Sequence, residues 1–135
     1  MSKVTPSAAR ASLLAMAVMM TADADGEQEE ANVVLAEYEA LLGQPMAPGQ
    51  LADAFAAARR DPDAVLEEIR ATAMLPTERE AALCAAIRVC MADAELQDGE
   101  IATLPRVASA LHLDTADVRR LMSVVWREER ARAAR

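Results

Sequence analysis

Apolar residues recur along this chain at helical spacing, and the pattern predicts seven helices. The first, over about residues 7–22, is apolar on nearly all sides, which is typical of a buried central helix. A second helix follows an acidic turn and ends near Leu42, just before Gly43. Prolines and glycines mark residues 44–49 as a loop, after which a short third helix begins.

Capping signals mark the start of the fourth and fifth helices. Asp61 and Pro62 offer an N-cap and a first-turn proline for the fourth. Residues 77–80 have the pattern of a capping box and predict the start of the fifth. The residues that we expect these two helices to bury are Val65, Leu66, Ile69, Leu83, Ile87, Cys90 and Met91.

The last two helices follow a second acidic turn. Helix six contains Pro105 within its apolar pattern, so it either kinks there or begins near Thr103. Asp114 and Asp117 are placed to cap helix seven. The apolar residues at helical spacing in the two helices are Ile101, Leu104, Ala108, Leu111, Val118, Leu121, Met122 and Val125.

Composition supports an all-α fold. Apolar residues make up 53% of the 135 residues but aromatic residues only 2%, so the core must consist of Leu, Val, Ile, Met and much Ala. Alanine favours helices and lets them approach closely, whereas the residues that favour strands are sparse. With no long linker, residues 1–135 are expected to form one compact domain of about seven helices.

The chain shows an internal repeat with an offset of 70 residues. Residues 11–41 align with 81–111 without a gap, and the two halves extend over about 11–43 and 81–113. Each half has a buried helix, an acidic turn and an amphipathic helix. Aspartate begins each turn and glutamate follows seven residues later: Asp23 and Glu30 in the first, Asp93 and Glu100 in the second.

These turns predict a site for a divalent cation. Clustered carboxylates repel one another and are held more readily when a cation neutralises them. Oxygen ligands suit calcium, magnesium or manganese better than zinc. Four residues would bind first, Asp23, Glu30, Asp93 and Glu100, and the other turn acids would assist, so the candidate ligands are Asp23, Asp25, Glu27, Glu30, Asp93, Glu95, Asp98 and Glu100.

Two other interpretations of the turns stay open. Acids between helices often only cap the second helix, whose positive end favours them. The acids could instead present a charged face to a protein partner, in which case the domain would act without metal. An EF-hand is disfavoured, because Gly26 at loop position six places Asn32 where the final glutamate belongs.

Charge and cysteine usage restrict the partners and the compartment. A net charge of −8 argues against nucleic acid, although the C-terminal segment carries Arg127, Arg130, Arg132 and Arg135. Cys84 and Cys90 lie too far apart on one helix for a disulfide, as expected of a reduced, cytoplasmic protein. The apolar stretch near the N-terminus resembles a secretion signal in outline, but its removal would destroy the repeat, and it is too short to span a bilayer.

The two turns resemble those of the tellurite-resistance TerB-like family. The resemblance rests on residues 21–27, on residues 92–96 with Glu100, and on residues 111–114. Its register in the first turn is ambiguous, because Asp25 and Gly26 supply the literal dipeptide whereas Asp23 keeps the spacing to Glu30.

The resemblance implies an all-helical, metal-binding, non-catalytic module of the tellurite or stress response. It also implies association with membrane-linked protein complexes, hence a cytoplasmic location that includes the periphery of the inner membrane. The residues themselves agree that no enzyme is present, since there is no nucleophile–histidine pair and no phosphate-binding glycine loop.

Overall fold

Seven helices form the structure, a computed structural model that describes residues 4–22, 27–92 and 98–134, with the backbone alone at residues 27, 28 and 98. The described residues contain no strand, which confirms the all-α prediction. The helices are α1 (Pro6–Thr21), α2 (Glu27–Leu42), α3 (Gln50–Arg60), α4 (Pro62–Ala71), α5 (Pro76–Cys90), α6 (Asp98–Ala110) and α7 (Thr115–Ala133).

Helix α1 is the centre of the fold. Twelve of its 16 residues are buried, and α2, α3, α4, α5 and α6 all pack against it. Its many alanines let these neighbours approach closely, while Met16 and Met19 fill the remaining space. The Ser12 hydroxyl is fully buried and donates to the carbonyl of Ala8 one turn earlier, at 2.8 Å. The prediction of a buried central first helix is confirmed.

Helix α5 is the second buried helix and packs along α1. Its other neighbours are α2, α6 and α7, while α3 and α4 cover α1. Arg88 on α5 joins two of these neighbours, because its guanidinium donates to Glu37 on α2 at 2.7 Å and to Glu128 on α7 at 2.6 Å. The layers around α5 are therefore connected by charge as well as by apolar contact.

The start of α5 differs from the prediction. The helix begins at Pro76, so Thr77 lies inside its first turn and the expected capping box at residues 77–80 is wrong in register. Glu78 supplies the cap instead. It accepts the backbone N–H of Leu75 at 2.8 Å on one oxygen and that of Thr5, just before α1, at 2.8 Å on the other. One buried carboxylate thus joins the starts of both central helices.

Helix α6 buries the face that its apolar spacing predicted, except at Ile101. Ile101 is 55% exposed, whereas Glu100 is 1% exposed and takes the inward position one turn before Leu104. Pro105 is accommodated within the helix, which begins at Asp98 rather than near Thr103. Because proline has no N–H, the carbonyl of Ile101 loses its helical donor, and this occurs on the exposed side, where water replaces it.

Helix α6 is terminated by a residue in the left-handed backbone conformation. His112 has φ 60°, and the N–H of Leu113 donates back to the carbonyl of Ala108 at 2.9 Å. The imidazole Nε2 of His112 lies 3.0 Å from the carbonyl oxygen of Arg70 at the end of α4. The only histidine of the chain therefore serves to position α6 against α4.

Most other expected core positions are confirmed. Asp61 caps α4 through the N–H of Ala64, and Asp114 and Asp117 form the capping box of α7. Three expected residues, Met91, Val118 and Met122, are only partly buried. The confirmed buried residues are Val65, Leu66, Ile69, Leu83, Ile87, Cys90, Leu104, Ala108, Leu111, Leu121 and Val125.

Each buried position of α2 has a buried counterpart at the offset of 70 residues, although α6 buries Val107 and Ala110 as well. The α2 positions are Glu30, Val34, Tyr38 and Leu41, and their counterparts in α6 and just after it are Glu100, Leu104, Ala108 and Leu111. The correspondence agrees with the predicted repeat, although a duplication as such stays a prediction.

Glu78→Gln should lower the free energy of unfolding by about 1–3 kcal/mol. Glutamine has one acceptor oxygen where two backbone N–H groups need one each, so one buried donor loses its partner. Denaturant unfolding at neutral pH measures the loss. Glu67→Gln, at an exposed side chain on α4, is the control and should change stability by less than about 0.5 kcal/mol.

The same pair of proteins tests the charge on Glu78. The N–H groups of Leu75 and Thr5 lower the pKa of this carboxyl. Its contribution to stability is therefore complete above the pKa of an ordinary glutamate and is lost as the pH falls through the lowered folded value. The stability gap between the parent and Glu78→Gln should shrink on acidification, and a gap independent of pH would contradict this role.

Candidate functional site

The candidate site lies where the four helix ends that flank the acidic turns meet. Asp23, Asp25, Asp93 and Glu95, predicted as cation ligands, lie outside the described residues. Glu27 and Asp98 are the first residues of α2 and α6, where the structure gives the backbone alone. Glu30 and Glu100 are the two predicted ligands whose side chains are described.

Glu30 and Glu100 are buried, each with 1% of its surface exposed. Both stand near the start of a helix, where the positive end of the helix dipole favours a carboxylate. Burial of a carboxylate nevertheless costs free energy unless other groups compensate its charge. Simple capping of an exposed helix end would not require either side chain to point inward, so burial distinguishes these two glutamates from ordinary first-turn acids.

The charges of both glutamates act on Cys90, in the last turn of α5. Burial raises the pKa of the Cys90 thiol, and the negative charges of Glu100 and Glu30 raise it further. The thiol also donates a hydrogen bond to Glu100. One carboxylate from each half of the chain therefore acts on the same buried thiol.

Sequence reasoning placed Cys90 in the core but did not connect it with the acids. At the offset of 70 residues, Cys90 corresponds to Met20, so the repeat offers no sign of a thiol beside the glutamates. The sequence signal that could have linked Cys90 to the second acidic turn is its position three residues before Asp93, just under one helical turn.

Gly99 brings the start of α6 against the end of α1. A Cβ at this position would lie 2.3 Å from the carbonyl oxygen of Ala22, at the end of α1. Only glycine permits so close an approach of the two backbones. Ala22, which precedes the first turn, therefore touches the start of the helix that follows the second turn.

The described carboxylates do not complete a metal site by themselves. Within residues 4–22, 27–92 and 98–134, no three histidine, cysteine or acidic side chains are grouped closely enough to hold a metal ion. Glu30 and Glu100 fit a hard cation by their chemistry, since both offer carboxylate oxygens. Further ligands would have to come from the turn acids.

A comparison with protein families identifies the fold. The family model described as tellurite resistance protein TerB matches residues 7–123, from the start of α1 into α7. The chain belongs to the TerB family. The match includes both acidic turns and all four helices that flank them, and it confirms the resemblance found in the turn motifs.

No curated protein and no solved structure matches this TerB chain. Among the described residues of the domain, none of the helices combines the length and the apolar character needed to cross a bilayer.

Gly99→Ala should destabilise the TerB domain by about 1–3 kcal/mol, although alanine is the better helix former. The added methyl group would meet the Ala22 carbonyl, which is backbone and cannot rotate aside, so α1 and α6 must separate. Thermal unfolding measures the effect. The control is Ser109→Ala, an exposed substitution in the same helix, and a Gly99→Ala protein as stable as that control would contradict the contact.

Proposed function

We infer that this TerB domain is a non-catalytic module that binds a divalent cation between its two acidic turns, in a process related to tellurite resistance. One observation carries the proposal: Glu30 and Glu100, one from each half of the chain, are both buried, and the charges of both raise the pKa of the Cys90 thiol. Family membership supports the link to tellurite resistance.

Electrostatics supports a cation at this place. Two buried carboxylates that act on the same thiol also repel each other, and the other acids of the two turns add negative charge. A divalent cation would compensate both charges and use their oxygens as inner ligands. Asp23 and Asp93 would complete the inner set, with Asp25, Glu27, Glu95 and Asp98 as additional ligands or as groups that orient them.

The nature of the ligands favours calcium, magnesium or manganese. All eight proposed ligands are carboxylates, which are hard donors, and zinc sites of the structural type need nitrogen or sulfur ligands. His112 is engaged at the other end of α6, against the Arg70 carbonyl.

A bound cation would tie the two turns together and so fix α2 relative to α6. We propose that this is the purpose of the site: the cation sets the surface that a protein partner recognises in the cytoplasm, including partners at the inner membrane, and no reaction is catalysed.

Calcium, magnesium or manganese should raise the melting temperature of the chelator-treated protein. A ligand of the native state at 100 times its Kd stabilises by about 2.7 kcal/mol, which corresponds to roughly 10 °C for a domain of this size. Glu30→Gln and Glu100→Gln should each remove most of this increase, because each takes away one inner carboxylate. Thermal melting with and without each ion is the measurement.

Glu29→Gln is the matched control, because Glu29 is an exposed acid next to Glu30 in the first helical turn of α2. It should keep the full response to the cation. Elemental analysis of protein purified without chelator, repeated on Asp93→Ala, gives a second readout. If no ion moves the melting curve of the parent, cation binding is wrong, and the acidic face would then act as a metal-independent surface for a protein partner.

A further inference from the structure

The last turns of α7 extend beyond the body of the domain. Val125 is the last buried residue of the helix, and α7 continues to Ala133. The TerB family match ends at residue 123, so this extension, residues 126–134, lies outside the matched domain. It carries Trp126, which is 48% exposed although it is the only tryptophan of the chain.

Trp126 lies in a basic stripe on the outer face of α7. At 100° per residue, Arg119, Trp126 and Arg130 fall within about 40° of one another, far around the helix from buried Leu121 and Val125. All three are exposed. We call Arg119, Trp126 and Arg130, with Arg127 beside them, the Trp–Arg stripe.

The arginines of the Trp–Arg stripe are not neutralised by the neighbouring acids. Glu128 is bound by Arg88 at 2.6 Å, and Glu129 pairs with Arg132 at 3.4 Å. Arg119, Arg127 and Arg130 form no salt bridge within the part of the chain that the structure describes. The stripe thus combines one large apolar ring with uncompensated positive charge.

A second surface, an apolar groove, has complementary properties. It is a cavity of about 490 Å³, open to solvent, between α2, α3 and the loop that joins them. Leu35 in its wall is 43% exposed. The groove is large enough to admit an indole ring, and its main apolar lining is Met20, Ala31, Leu35, Met46, Leu51 and Phe55.

Charged side chains of both signs stand beside this groove: Glu39 on α2, and Arg59 on α3, whose guanidinium lies 5.6 Å from the centroid of the Phe55 ring. Glu39 lies one turn after Leu35 on the same face of α2 and is exposed. An apolar groove beside Glu39, in a body of strongly negative net charge, is complementary to a tryptophan with arginines around it.

We propose that the Trp–Arg stripe of one molecule docks in the α2–α3 groove of a second copy, so that the chain self-associates. Charge supports this occupant. Residues 126–135 carry four arginines and two glutamates, a net +2, whereas the rest of the chain carries −10. A two-fold symmetric pair would make the contact twice, with Trp126 as the central apolar anchor. The proposal is independent of cation binding.

A membrane is a weaker partner for the stripe. Helices that lie in a bilayer interface bury a broad apolar face, whereas beyond Val125 this extension offers Trp126 and a few alanines. The body, at net −10, would also be repelled by anionic lipid.

Sedimentation velocity over a concentration series tests the proposal. The parent chain should form dimers whose dissociation constant rises with salt, because part of the attraction is between charges. Trp126→Ala, Arg130→Glu and Leu35→Glu should each raise that constant at least about tenfold. All three positions are exposed, and circular dichroism should show unchanged helix content.

Two controls and one mixture make the test specific. Arg60→Glu and Leu75→Glu change an exposed arginine and an exposed leucine away from both surfaces and should leave association unchanged. A mixture of the Trp126→Ala and Leu35→Glu proteins should form heterodimers, because the first keeps an intact groove and the second an intact tryptophan.

Several results would overturn the proposal. A parent chain that stays monomeric at every concentration, or Trp126→Ala and Leu35→Glu proteins that associate like the parent, would exclude this contact. A mixture that remains monomeric would show that the tryptophan does not enter the groove. Binding of a monomeric parent to anionic phospholipid vesicles, lost in Trp126→Ala, would assign the stripe to membranes instead.

Discussion

The arrangement of this domain depends on the burial of α1 on all sides. A helix without a polar face must be covered by neighbours all round, and α2 to α6 provide that cover. Its alanines set how closely they approach, and Gly99 marks one close approach, where the start of α6 meets the Ala22 carbonyl. The helices that flank the acidic turns are held together by this packing, because α2, α5 and α6 all contact α1.

The candidate site is an electrostatic consequence of the same arrangement. Once α2 and α6 are fixed against the buried pair α1 and α5, their first-turn glutamates point into the protein instead of to water. An exposed carboxylate would cost little free energy, whereas the charge of a buried one must be compensated by other groups. Glu30 and Glu100 are therefore the residues through which the packing of the helices determines the chemistry of the turns.

Much of the fold could be predicted from the sequence, because periodicity, proline and glycine act locally. The central helix, the loop before α3 and the caps of α4 and α7 all follow from such signals. The errors occurred where a distant contact decides the outcome. Glu78 is buried because it binds the N–H of Thr5, far away in sequence, as well as that of Leu75, and on α6 Glu100 takes the inward position while Ile101 faces outward. Spacing identified Glu30 and Glu100 as special, but only packing could place the Cys90 thiol where both charges act on it.

The burial of Met16 and Met19 in α1 has a chemical consequence. Thioethers are oxidised when peroxide reaches them, and neither of these has any surface accessible to solvent. In the folded domain they are shielded, so the sulfoxide can form only when the helices around α1 open. A polar sulfoxide would then not fit the space that the methionine had filled. Oxidation at these positions would thus record an opening of the domain and prevent it from closing again.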